Sequence, residues 1–253
     1  ESLGHVFVMR VLGVGMLILT APLLVIGRDS PARIKQSTAG LSALVMSTVR
    51  NLYRAAKRVR EQPSWARFLI ARFWYMWAVN AASAFAVLYG VQTVGLSERE
   101  VQLILLIGIV AAIPSGVIWG KMVDKLGALR VLKIAVSGWS ILLLTAFAIP
   151  AMGLPPTLWG LVGVLSGVLI AGLYVAERPF IIGLAPEGRT GEYFGLNSMA
   201  GRLAAIAAPF SWGFISVTLN MGQLAAVIWL TGCAVISIVL LWGVTQLDRR
   251  GSD

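Results

Sequence analysis

The stretch Val101-Gln-Leu-Ile-Leu-Leu-Ile-Gly-Ile-Val-Ala-Ala-Ile-Pro-Ser-Gly-Val-Ile-Trp119 contains no charged side chain. At the helical rise of 1.5 Å per residue it measures about 28 Å, close to the ~30 Å hydrocarbon core of a bilayer. A polar and basic segment, 120–130, follows it directly. An uncharged run of this length that ends in charged residues predicts a transmembrane helix.

The rest of the chain contains six further runs of this kind. Of its residues, 58% are hydrophobic and only 13% are charged, whereas a soluble domain has roughly 25% charged residues. The sequence therefore predicts an all-α membrane protein with about seven transmembrane helices. The expected spans lie near residues 6–26, 68–91, 101–119, 132–152, 157–178, 194–218 and 223–244.

The net charge of +10 has two explanations, nucleic-acid binding and membrane topology. The basic residues lie between the apolar runs, in alternate connections, as the positive-inside rule requires. We therefore expect no nucleic-acid partner, and we expect a multi-pass protein of a bacterial inner (plasma) membrane with its N-terminus outside and its C-terminus cytoplasmic. The connections near 92–100, 153–156 and 219–222 hold a single basic residue, Arg99, and would then lie outside.

The spans divide the chain into four segments. Residues 1–27 are the first transmembrane helix, 28–66 a cytoplasmic basic linker, 67–248 a six-helix unit, and 249–253 a cytoplasmic tail. Within the linker, residues 41–60 have apolar side chains at helical spacing opposite a basic face. This pattern indicates either an amphipathic helix on the anionic inner leaflet or a solvated tether.

Small residues recur within the spans at the spacing that allows helices to approach closely in lipid. Gly116 and Gly120 are four residues apart on one span, and Gly163 and Gly167 are four apart on another. We expect helix contacts at both pairs.

The segment after the third span reads Gly120-Lys-Met-Val-Asp124-Lys125-Leu-Gly127-Ala-Leu-Arg130. It resembles the loop signature Gly-x-x-x-Asp-Arg/Lys-x-Gly-x-x-Arg of the major facilitator superfamily. Glycines permit a tight turn between spans. The Asp124 carboxylate can interact with the positive N-terminal end of a neighbouring helix. The resemblance implies transport by alternating access.

A second stretch, Arg178-Pro-Phe-Ile-Ile-Gly-Leu-Ala-Pro-Glu-Gly-Arg-Thr-Gly-Glu-Tyr-Phe-Gly-Leu196, is similar to the vacuolar amino-acid effluxer branch of that superfamily. Phe68-Leu-Ile-Ala-Arg-Phe-Trp-Tyr75 resembles the opening of the second half of such proteins. The likeness implies that the chain is the sixth span plus the C-terminal half of a twelve-span transporter, and that its partners are the lipid bilayer, a small solute and an N-terminal six-helix half. Asn80 stands where the branch tends to have an acidic residue, so sugar–cation symporters and drug exporters remain alternatives.

Polar residues inside spans are the candidates for function, because charge within a bilayer is costly and normally faces a cavity or a partner. Arg202 lies about 12 Å into its span and Asn80 about 18 Å into its own. In a functional role Arg202 would bind an anionic group of the substrate or form an internal charge pair. In the alternative, structural role, backbone carbonyls near Pro209 would hold it. The candidates for the substrate path are Arg202, Asn80, Tyr75 and Asn197.

Three other charged residues lie nearer the predicted cytoplasmic surface. Glu177 and Arg178 end the fifth span, where a cytoplasmic gate or a local structural pair is expected. Arg72 lies only about 6 Å into its span, so its side chain is expected to snorkel to the inner surface.

Enzymatic chemistry finds no support in the sequence, which has no paired carboxylates within the spans and no Ser/His/Asp set. With one cysteine, Cys233, and one histidine, His5, neither a Cys/His metal site nor an internal disulfide is expected. We therefore expect a secondary active transporter, without metal or cofactor, that moves a small polar solute such as an amino acid. The alternative from another class is a non-transporting membrane subunit or truncated pseudotransporter.

Overall fold

The computed structural model describes residues 62–186 and 188–244, together with Val14 and Thr20. The chain forms two compact units, Glu1–Arg50 and Asn51–Asp253, and the second contains all the helices discussed below. Apart from Val14 and Thr20, the predicted first span lies outside the described residues, as do the basic linker through residue 61 and the tail. The helices are α1 (Pro63–Tyr89), α2 (Glu98–Leu126), α3 (Ala128–Ala151), α4 (Trp159–Leu184), α5 (Thr190–Gly213) and α6 (Gly222–Trp242), with π-helical turns Gly90–Val94 and Phe214–Thr218 after α1 and α5 and a 3-10 turn, Pro156–Leu158, before α4.

These six helices correspond one to one to the six predicted spans that lie within the described residues. Five of them, α2 to α6, are long and apolar enough to cross a membrane. Helix α1 has 27 residues, but Arg67, Arg72 and Asn80 lie along it and make it less apolar. The prediction of an all-α multi-pass membrane protein is confirmed.

Several helices extend beyond the predicted spans on the side where the basic residues lie. Helix α2 continues to Leu126 and α4 to Leu184, and α5 begins at Thr190. Hydropathy detects only the part of a helix that lies in hydrocarbon, whereas backbone hydrogen bonds continue into the polar interface. The predicted loop at 120–130 is consequently almost entirely helical, and Gly127 alone joins α2 to α3 with φ +86° and ψ 149°.

The helices pack in a pattern that repeats. Helix α1 packs against α5 and α6, α4 packs against α2 and α3, and α3 also contacts α6. Exchanging α1–α3 with α4–α6 leaves this set of neighbours unchanged. Two three-helix repeats therefore form the bundle, as many transporter folds are built from repeats.

The closest helix crossing joins α2 and α4 through glycines. A Cβ atom on Gly167 would collide with the carbonyl oxygen of Gly108, and one on Gly108 would lie 2.5 Å from the carbonyl oxygen of Gly163. The predicted contact at Gly163 and Gly167 is confirmed. The expected contact at Gly116 and Gly120 is wrong for the described residues, because a Cβ at either would meet none of their atoms within 4 Å.

Candidate functional site

Four polar side chains from three helices meet inside the bundle and form what we term the charge cluster: Arg72, Tyr75, Glu177 and Asn197. All four are buried, with exposed fractions of 7%, 1%, 4% and 4%. They lie seven to twelve residues from the start of α1, the end of α4 or the start of α5, which corresponds to about 10–18 Å. We call this side of the bundle, where α2 meets α3 and α4 meets α5, the basic end.

The Glu177 carboxylate is bonded through both of its oxygens. It forms an ion pair with the Arg72 guanidinium. The Tyr75 hydroxyl donates to Oε2 at 2.9 Å, and Asn197 Nδ2 donates to Oε1 at 2.6 Å. A buried carboxylate with this many partners is compensated for most of its lost hydration.

The Arg72 guanidinium is held on two further sides. Its Nε donates to the backbone oxygen of Asn197 at 2.8 Å, and its Nη1 donates to the Tyr75 hydroxyl at 3.3 Å. The charge cluster thus ties α1 to both α4 and α5. Among the described residues, the side-chain oxygen Oδ1 of Asn197 remains without a hydrogen-bond partner.

Helix periodicity explains why these residues converge. Arg72 and Tyr75 are three residues apart on α1, and Asn197 and Gly201 are four apart on α5, so each pair shares one face. A Cβ on Gly201 would lie 3.0 Å from Arg72 Nη2. The absence of a side chain there leaves room for the guanidinium against α5.

An aromatic layer separates the charge cluster from the basic end. Trp65 contacts Phe68 and Tyr193 at ring-centroid distances of 5.4 and 4.5 Å, and Phe68 contacts Phe180 at 4.8 Å. The Tyr193 hydroxyl donates to Gln62 Oε1. These ring contacts join α1, α4 and α5 between the charge cluster and the basic end.

The expectation that Arg72 snorkels is wrong, and so is the alternative of a local structural pair between Glu177 and Arg178. Arg72 does not snorkel, because Glu177 and Asn197 offer it a buried ion pair and hydrogen bonds that compensate desolvation. Glu177 pairs with Arg72 and not with its neighbour Arg178, which is exposed. Successive residues of a helix point about 100° apart, so the two side chains cannot share a direction.

The candidates for the substrate path separate in the structure. Tyr75 and Asn197 belong to the charge cluster. Asn80 is half-buried and donates from Nδ2 to the Met76 oxygen of its own helix at 2.7 Å. Arg202 is exposed and makes no hydrogen bond or ion pair with any described residue, so the backbone carbonyls near Pro209 do not hold it.

Arg202 lies on one of two exposed stripes of α5. The residues around it at helical spacing, Gly195, Ser198, Ala205 and Pro209, are small or only weakly polar. The adjacent stripe consists of large apolar side chains that suit lipid: Met199, Leu203, Ile206 and Phe210. Arg202 therefore belongs to the face of α5 that is less suited to lipid.

The residues of the loop motif lie at the basic end. Gly120 is inside α2, Gly127 forms the turn, and Asp124, Lys125 and Arg130 are exposed. Asp124 makes no hydrogen bond or ion pair within the described ranges 62–186 and 188–244. Its expected contact with a helix end is thus not seen there, and its role stays a prediction.

Sequence reasoning did not find that Arg72 and Glu177 form a pair. The available signal was their position in otherwise apolar runs together with Tyr75 three residues after Arg72. Hydrogen-bonding residues grouped in this way on a hydrophobic helix indicate a partner on another helix, but not which one.

Comparisons with known proteins agree with this architecture. Residues 2–251 match the protein family described as "Vacuole effluxer Atg22 like". The chain is also 25% identical over 199 residues to the "Uncharacterized MFS-type transporter YxiO" of Bacillus subtilis (strain 168). That alignment covers 79% of this chain and 43% of the relative, so the chain spans less than half of the relative's length. No solved structure matches the chain.

Proposed function

Because the chain belongs to the vacuole effluxer Atg22-like family, we propose that it is part of a secondary active transporter that moves a small polar solute by alternating access. Amino acids are the first candidates for the solute, in keeping with the effluxer resemblance. The membrane is the inner (plasma) membrane of a bacterium, with the basic end on the cytoplasmic side.

The observation that carries the proposal is the exposed Arg202 within α5. An arginine in a transmembrane helix requires water or an anionic partner, and intramembrane charge usually marks a transport path. Its planar guanidinium matches a carboxylate with two parallel hydrogen bonds. An amino acid presents such a carboxylate.

The functional transporter contains a second six-helix half in addition to this chain. The relative is more than twice as long as the matched part, and transporters of this kind bind substrate near the midplane between two repeats. Arg202 and the small residues beside it on α5 then face the second half across the substrate path, with Asn80 on α1 as a further polar contact.

The charge cluster and the aromatic layer act as the cytoplasmic gate of this half. They join α1, α4 and α5 at the basic end, where residues must separate for a solute to leave. Glu177 is the central member of this gate because each of the other three side chains bonds to it. Arg178 lies next to Glu177 on the outer face of α4 and can contact the second half.

The test is uptake or counterflow of labelled amino acids in vesicles that contain the complete transporter. Arg202→Ala should abolish transport, and Arg202→Lys should reduce it by about tenfold or more, since a lost bidentate contact costs about 1.4 kcal/mol or more. Arg99→Ala, an exposed arginine at the other end of the bundle, is the matched control and should transport normally. Membrane insertion of all three is checked by size-exclusion chromatography in detergent.

Each other outcome contradicts a named part of the proposal. Normal transport by Arg202→Ala would remove Arg202 from the substrate path. Transport of sugars or hydrophobic cations, but not of amino acids, would place the protein with the sugar–cation symporters or drug exporters. A complete protein that inserts and moves none of these solutes would favour a non-transporting subunit.

A further inference from the structure

Four basic residues flank the turn between α2 and α3, and we call them the turn cations: Lys121, Lys125, Arg130 and Lys133. Lys125 and Arg130 lie two and three residues from Gly127, which corresponds to about 3 and 4.5 Å along their helices. Lys121 and Lys133 each lie six residues from Gly127, or about 9 Å. Each helix therefore carries one cation near the turn and a second cation about one helical turn deeper.

The turn cations have no anionic partner in the part of the chain that the structure describes, where none of them forms a hydrogen bond or an ion pair. Lys121, Lys125 and Arg130 are exposed, whereas Lys133 is half-buried. Burial removes part of the hydration of an ammonium group, which is costly unless an anion or a hydrogen-bond acceptor replaces it. The flexible side chain of Lys133 can reach the membrane interface, where such groups are found.

The two connections between helices at the basic end differ in charge. The turn cations and one carboxylate, Asp124, give residues 120–133 a net charge of +3. The connection between α4 and α5 holds one basic residue, Arg189, and its guanidinium pairs with Glu192 at 3.1 Å. The positive-inside rule requires basic residues on this side of the membrane, but it does not require unpaired cations to gather at one turn.

Exposed apolar side chains continue from the turn cations along both helices. On α2, Val117 and Ile118 lie four and three residues before Lys121 and are exposed. On α3, the exposed Ile134 lies four residues after Arg130. Residues three or four apart share one face of a helix. Each helix thus presents an apolar stripe that ends in cations, a surface that matches the acyl chains and the phosphate of a phospholipid.

The charge of the turn cations specifies the kind of head group. Lysine and arginine side chains only donate hydrogen bonds, and a phosphodiester group only accepts them. The Arg130 guanidinium can bind two phosphate oxygens at once. A zwitterionic head group carries its own ammonium group, which the turn cations repel, so an anionic head group is favoured. Basic pockets of transmembrane helices on the cytoplasmic side bind anionic lipids in this way.

We propose that the turn cations bind the head group of an anionic phospholipid from the leaflet at the basic end, with its acyl chains along the exposed stripes of α2 and α3. A soluble phosphate compound offers the same anion but has no chains to cover these stripes. The site does not depend on the function proposed for Arg202.

The test titrates the purified chain in detergent with dioleoylphosphatidylglycerol or dioleoylphosphatidylcholine and measures bound lipid by native mass spectrometry. The two lipids have the same chains and differ in head-group charge. The first phosphatidylglycerol molecule should bind at least tenfold more tightly than the first phosphatidylcholine molecule. Glycerophosphoglycerol, the same anionic head group without acyl chains, should not displace it.

Two double variants separate a local site from the overall positive charge. Arg130→Gln with Lys133→Gln should weaken phosphatidylglycerol binding at least tenfold, because each basic residue beside an anionic head group contributes about fivefold. Phosphatidylcholine binding should stay within about twofold. The matched control, Arg178→Gln with Arg189→Gln, removes the same charge from α4 and from the α4–α5 connection and should bind phosphatidylglycerol as the native chain does.

Equal affinities of the native chain for the two lipids, or equal losses in the two double variants, would overturn the site. Displacement of the lipid by glycerophosphoglycerol would identify a soluble phosphate compound as the occupant and would overturn the lipid assignment. Should the variant with Arg130→Gln and Lys133→Gln fail to fold, Lys121→Gln with Lys125→Gln removes the same charge from α2 and decides by the same criteria.

Discussion

At the scale of single residues, the central fact is a carboxylate and a guanidinium that are both removed from solvent. Isolated burial of either charge is costly, and the attraction between them compensates only when hydrogen bonds satisfy their remaining polar atoms. Tyr75 and Asn197 supply those bonds to Glu177. The four residues therefore depend on one another. Removing one of the two charges should lower the stability of the chain more than removing both.

We expect Arg72→Met and Glu177→Leu each to destabilise the chain by about 3–5 kcal/mol, because each leaves the other charge buried without a partner. The double variant should be more stable than either single variant. Thermal unfolding of the purified chain in detergent, followed by circular dichroism, measures this.

The exposed pair Arg189–Glu192 is the matched control, with side chains 36% and 45% exposed and a separation of 3.1 Å. Its substitutions should cost at most about 1 kcal/mol, since solvent screens the pair. If the stability lost in the double variant equalled the sum of the two single losses, Arg72 and Glu177 would act independently. That result would contradict their ion pair.

At the scale of helices, the turn between α2 and α3 depends on one backbone conformation. Gly127 has φ +86° and ψ 149°, a combination that side-chain-bearing residues rarely adopt. With no other residue between the helices, their relative direction is set by this glycine.

Gly127→Ala should therefore destabilise the chain by about 1–3 kcal/mol. Gly120→Ala, seven residues earlier within α2, should be neutral or stabilise by up to about 1 kcal/mol, because alanine favours the helix and its Cβ meets no described atom within 4 Å. Chemical unfolding of both variants in the same detergent gives the comparison. A loss at Gly120 as large as that at Gly127 would mean that the motif glycines serve packing and not the turn.

At the scale of the whole molecule, the alternation of charge between connections predicts its orientation in the membrane. In a Cys233→Ala background, cysteines in place of Glu98, Met152 or Met221 should react with an impermeant thiol reagent added to intact cells. A cysteine in place of Lys125 should react only after the cells are opened. All four positions are exposed and avoid the glycines with positive φ at 95, 153 and 188. Labelling of Lys125→Cys from outside would reverse the orientation.

The sequence alone determined the membrane character and the six helices that the structure describes, because hydropathy and length are properties of consecutive residues. It also identified Gly163 and Gly167 as a helix contact, since small residues at this spacing act locally. The helix ends were less accurate, because hydropathy measures lipid exposure and helices continue into the polar interface.

Only the tertiary structure decided which polar residues meet. Arg72, Glu177 and Asn197 are separated by up to 125 residues in sequence, and whether a charge is buried or reaches solvent depends on the groups that surround it. Because Arg72 is only about 6 Å into its predicted span, its side chain was expected to reach the surface. The Glu177 carboxylate on α4 and the Asn197 carbonyl on α5 hold it inside. Hydrogen bonds and desolvation depend on neighbours in space and not on neighbours in sequence.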